Sequence, residues 1–84
     1  MNVKVLFFAG LREALGVGSE SVDLPAGIGT VGALRDSLAA RGGAWAALAT
    51  TKNLRSAVNQ QMVGPEAPIK AGDEVAFFPP VTGG

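Results

Sequence analysis

The residues best arranged for chemistry stand at the end of the chain, in Phe77-Phe78-Pro79-Pro80-Val81-Thr82-Gly83-Gly84. The α-carboxylate on Gly84 has a pKa of about 3.5 and is an anion at neutral pH. A carboxylate is a poor electrophile, but ATP can convert it to an acyl-adenylate, which a sulfur or amine nucleophile then attacks. No side chain at Gly84 obstructs that approach, and Gly83 passes where a Cβ would jam. Pro79 and Pro80 cannot donate to a sheet ladder, and each fixes φ near about −65°. The chain is therefore expected to leave the fold there as a stiff, extended tail over 79–84. Four residues beyond the prolines reach at most about 13 Å, enough to enter a pocket of a neighbouring protein. A Gly-rich end also describes a frayed terminus. Gly83-Gly84 carries weight only together with the strand and double proline before it.

Composition narrows the remaining choices. The 84 residues include no Cys, so no thiol nucleophile, side-chain persulfide or disulfide framework. They include no His, the usual general base near neutral pH and a common metal ligand, and no Tyr. A self-sufficient catalytic centre is hard to build from what remains, and no metal site is expected. Seven basic and seven acidic residues cancel, and no basic stripe is present. That argues against nucleic acid or an anionic membrane as main partners. The apolar runs are too short to span a bilayer, and Met1-Asn2-Val3-Lys4 does not resemble a signal peptide, so a cytoplasmic location is expected. Hydrophobic content of 48% supports a packed core in one domain over 1–84.

The elements that must present the tail follow from periodicity. Residues 2–9 read as a strand that is apolar on both faces and so central in its sheet. If Val3, Val5 and Phe7 face the core, Phe8 projects from the opposite face. Gly10 is expected to end this strand, with one helical turn over 11–15 closed by Gly16. Glu20, Val22 and Leu24 alternate into a second strand over 20–24, which Pro25 stops. Thr30 is a candidate N-cap for a helix over 31–40. Val31, Leu34 and Leu38 form its inward stripe, and Gly42-Gly43 ends it. A weaker helix covers 44–48, with Trp45 and Leu48 inward. Strands follow over 54–59, 61–63 and 74–78, with Gln60 opening a turn and residues 64–68 a loop. The two most apolar strands, 2–9 and 74–78, belong side by side at the centre. If they are parallel, the fold is α+β: a β-grasp, a mixed sheet wrapping one main helix. A ferredoxin-like split βαβ ranks second, because 44–49 is too short for its second helix.

Several blocks are specific enough to point to a family. Val5-Leu6-Phe7-Phe8-Ala9 with Leu11-Arg12-Glu13, then Ala57-Val58-Asn59-Gln60, then Gly72 through Gly84 closely resemble the small, sulfur-carrier subunits of molybdopterin synthases. The resemblance spans the chain and is most specific in its last block. It is poor over 16–23 and 41–54. It implies a ubiquitin-like β-grasp. It also implies that an E1-like adenylating enzyme consumes ATP to activate Gly84, and that a sulfur donor then converts it to a thiocarboxylate. The tail would insert into a large catalytic subunit, in a heterotetramer of two small and two large chains. There its sulfur would attack a cyclic pterin monophosphate precursor in molybdenum cofactor biosynthesis. No permanently bound cofactor is implied.

On this reading Val81 and Thr82 line the tail's channel. Phe8, Met62 and Phe78 fall on the face that the helix leaves bare, and exposed apolar patches on small domains mark partner sites. The alternative is that the 64–68 loop covers them. Arg12, which follows the first strand, is expected to contact the same partner. Two other functions share these features. One is a sulfur carrier for thiamine synthesis or tRNA thiolation. The other is a ubiquitin-like modifier whose Gly84 ends in an isopeptide bond.

Overall fold

The computed structural model describes residues 1–80; the Val81, Thr82, Gly83 and Gly84 expectations lie outside the described residues. Five strands form one sheet: β1 (Asn2–Phe7), β2 (Ser19–Asp23), β3 (Arg55–Val58), β4 (Gln61–Val63) and β5 (Glu74–Phe78). Their order is β2-β1-β5-β3-β4. β1 and β5 are parallel neighbours, in register from Lys4 opposite Glu74 to Phe7 opposite Phe77. The other three pairings are antiparallel. Helices α1 (Ala9–Leu15), α2 (Val31–Ala39) and α3 (Ala47–Thr50) complete the fold, with a 3-10 turn over Gly43–Ala46 before α3. This is the expected β-grasp.

Alternation explains why the core lies on one face. Val3, Val5 and Phe7 of β1, and Val75 and Phe77 of β5, are almost wholly buried against Val31, Leu34 and Leu38 of α2. A strand turns successive side chains to opposite faces. Phe8 and Phe78 must therefore stand on the far side from Phe7 and Phe77. Val58 and Trp45 sit at the margin of this core rather than inside it. The Trp45 ring meets Phe7 edge-on at 5.5 Å and carries the Arg41 guanidinium over its face, 4.5 Å from the ring centroid. Arg41 also grips Glu20 through two hydrogen bonds, of 3.1 and 2.6 Å, which hold the Glu20 carboxyl below its usual pKa.

Thr30 caps α2 as expected, its hydroxyl accepting from the Ala33 N–H at 3.2 Å. The loop over 64–68 does the rest of the capping. The Ala67 and Pro65 carbonyls accept from the Val31 and Gly32 N–H groups at 3.0 and 2.8 Å. These are the donors a helix start leaves orphaned. A Cβ on Gly32 would stand 3.1 Å from the Pro65 carbonyl oxygen, so the residue's lack of a side chain permits the close approach. The loop is thus committed to the helix side and leaves the opposite sheet face uncovered.

The first strand is shorter than expected. It ends at Phe7, and Gly10 lies inside α1 instead of terminating the strand. Phe8 still donates to the Phe77 carbonyl at 3.3 Å, but its own carbonyl turns away to accept from the Leu11 and Arg12 N–H groups. Ala9, at φ 53°, makes the turn from strand to helix. The second strand and the main helix differ from expectation by only a residue at their ends. The weak helix over 44–48 resolves into the 3-10 turn and α3.

Candidate functional site

A Phe-Phe pair closes β1, with Phe8 just past its end, and another closes β5 at the same level of the sheet. Phe7 and Phe77 stack on the core face, with centroids 6.4 Å apart and planes at 19°. Phe8 and Phe78 meet edge to face on the open side, 6.4 Å apart at 78°. Beside them Ala57 pairs across the sheet with Met62, which stands on the same face. Leu6 and Ala76 fill the floor, Gln60 and Glu74 the edge. Together these residues line an apolar groove of about 310 Å³. Phe8 is 46% and Met62 57% exposed, large values for apolar side chains in so small a domain.

The groove therefore unites three of the expected partner residues: Phe8, Met62 and Phe78. Phe78 is half-buried, since Phe8 covers one of its edges. The groove runs to the end of β5, where half-buried Pro79 and Pro80 follow. Arg12 is not brought into it. Its guanidinium lies along Gly18, 3.2 Å from where a Cβ would be, in a separate concavity lined by Ala9, Glu13 and Val17. That concavity begins one residue after Phe8. Leu6, Ala57 and Ala76 were missed as site residues. The signal was available, because Leu6 shares the parity of Phe8, and Ala76 that of Phe78.

The turn beside the groove is fixed by polar contacts. Asn59 and Gln60 connect β3 to β4 with φ of 50° and 71°, the two positive angles of a type I′ hairpin. The Asn59 amide donates to Asp73 Oδ1 at 3.0 Å, and its carbonyl oxygen accepts from the Glu74 N–H at 3.0 Å. Asp73 Oδ2 accepts from the Lys70 N–H at 2.8 Å. These bonds, the one from Asn59 foremost, hold the Asp73 carboxyl below its ordinary pKa. Among the described residues, no group of three or more Asp or Glu side chains could hold a metal ion. No helix there is long and apolar enough to cross a membrane.

Residues 5–84 match the ThiS family. The chain belongs to the ThiS family. Within it, the chain is 49% identical over 82 residues to an Escherichia coli (strain K12) protein named "Molybdopterin synthase sulfur carrier subunit", covering 98% of this chain and 99% of that one. A Haemophilus influenzae protein of the same name is 44% identical over the same shares. Among solved structures, SAMP1 from Haloferax volcanii matches with a TM-score of 0.79 at 30% identity over 100% of both chains. The ThiS-family match takes in Phe8, Met62, Phe78 and the whole tail, so the groove and the Gly-Gly end lie within the family region.

Proposed function

We propose that this chain is the sulfur-carrier subunit of a molybdopterin synthase. One observation carries the reading: an exposed apolar groove opens at the root of a tail ending in Gly83-Gly84, on a chain 49% identical to a protein of that name. The domain supplies affinity and the tail supplies chemistry. Covering a Phe or Met side chain fully is worth about 1.5–3 kcal/mol. Phe8, Met62 and Phe78 can thus hold the large subunit while residues 79–84 enter its catalytic pocket. Arg12 adds a charged contact beside the groove.

The chain has no Cys, so sulfur must travel on the terminus. The Gly84 carboxylate attacks the α-phosphorus of ATP on an E1-like enzyme, and pyrophosphate leaves. A sulfur donor then displaces AMP from the acyl carbon, giving a thiocarboxylate. In the large subunit its sulfur attacks the cyclic pterin monophosphate precursor. Two such transfers build the dithiolene. Gly83 keeps the probe narrow, and Val81 and Thr82 pair their backbones with the channel. The assembly would be two small and two large subunits in the cytoplasm, with ATP consumed by the adenylating enzyme and no cofactor resident on this chain.

Reconstitution with large subunit, adenylating enzyme, ATP and sulfur donor tests this. Deleting Gly84 should abolish precursor conversion while large-subunit binding persists. Full conversion by the deleted chain would refute the reading. The likeness to SAMP1, a small archaeal modifier protein, favours a second function, as a protein modifier, which predicts Gly84 joined to lysines of other proteins.

A further inference from the structure

The open face carries charges as well as the groove, and they are not evenly matched. Lys4 and Glu74 are register partners on β1 and β5, so this cation has an anion as its direct neighbour. On the helix side of the sheet, Arg41 grips Glu20 at 2.6 Å, and Arg35 lies 3.7 Å from Asp36. Arg55 differs. The β3–β5 register sets it directly beside Phe78, on the groove's face and at the end where the tail departs. On its other side, the next step of the β3–β4 register is Gly64, which has no side chain. The Glu66 carboxylate curls over Gly64, yet among the described residues Arg55 has no carboxylate within 4.0 Å. Arg55 is exposed.

A protein that covers Phe78 must also approach this guanidinium and strip some of its water. A charge desolvated without a partner opposes binding, whereas a carboxylate offered in the plane of the guanidinium makes two charge-assisted hydrogen bonds. The geometry points to Arg55 as a specificity residue. It pairs with an acidic side chain at the lip of the channel that receives the tail. Surfaces that fit the apolar groove but lack this carboxylate are rejected. This inference rests on the proposed function, with the large subunit as the occupant.

The test measures binding of the complete chain to purified large subunit at low and high salt. Arg55→Glu should weaken binding at least about tenfold, through faster dissociation as well as slower association, and high salt should shrink the difference. Arg55→Lys should recover part of the loss, and Lys52→Glu, a reversal at an exposed turn, should change affinity less than about twofold. Trp45 fluorescence on heating checks that each variant folds; if Arg55→Glu does not, Arg55→Gln takes its place, with a smaller loss expected. Binding by Arg55→Glu within about twofold of the parent chain overturns the inference, as does an equal loss from Lys52→Glu. So does a loss confined to the adenylating enzyme. A Phe78→Glu chain separates the two levels. If it fails to bind while Arg55→Glu binds normally, only the Arg55 inference falls. If it too binds normally, the groove reading falls.

Discussion

At the scale of single residues, chain neighbours have opposite environments. Phe7 is 1% exposed and Phe8 46% exposed, although they are adjacent in sequence. Phe7→Ala would open a cavity among Phe77, Trp45 and the α2 stripe, at a cost of about 3–5 kcal/mol. That is a large share of the roughly 4–13 kcal/mol available to a chain of this length. Phe8→Ala should cost about 1 kcal/mol or less, because its ring is half in water already. Denaturant unfolding of the two variants checks the contrast, and comparable losses would mean that the strand phase is wrong. Asp73 sets a pH dependence. Its pKa is lowered in the fold, so it stabilises the protein above the unfolded value of about 4. That contribution disappears as pH falls through the folded value. Asn59→Ala removes the leading cause, so the Asp73 pKa measured by NMR should rise and acid unfolding should begin with a shallower slope. An unchanged Asp73 titration would contradict this.

At the scale of elements, the β3–β4 hairpin offers the clearest lever. Gln60 holds φ of 71°, a region that glycine occupies freely and glutamine does not. Asn-Gly is the favoured type I′ pair. Gln60→Gly should therefore raise stability by about 0.4–1 kcal/mol, read as a higher urea midpoint with unchanged slope. A lower midpoint would show that Gln60's contacts at the groove edge outweigh its strain. The elements also show what the sequence could convey. The parity of Val3, Val5 and Phe7 and the stripe of Val31, Leu34 and Leu38 were legible, because burial of a whole face imposes a period. Thr30 was legible because a cap is local chemistry. The early end of β1 was not. It depends on Phe8's carbonyl leaving the ladder for α1 and on a positive φ at Ala9, a residue type that gives no sign of it. The duty of the 64–68 loop was equally hidden, since its carbonyls act on a helix more than thirty positions earlier.

At the scale of the whole molecule, the proposed function divides holding from reacting. The parallel β1–β5 pair places Phe8 and Phe78 side by side, and β5 ends where the tail begins. Leu6 and Ala57 complete a groove that no single segment contains. On the proposed function the chemistry falls to Gly83-Gly84, and a chain lacking Cys has no side-chain thiol to take up sulfur and confuse the readout. The most direct test is the intact mass of the purified chain after incubation with adenylating enzyme, ATP and a sulfur donor. The account predicts a gain equal to replacing one oxygen by sulfur, located in the C-terminal peptide and absent when a residue is added beyond Gly84. Sulfur acquired by the extended chain without trimming, or found anywhere but Gly84, would contradict it.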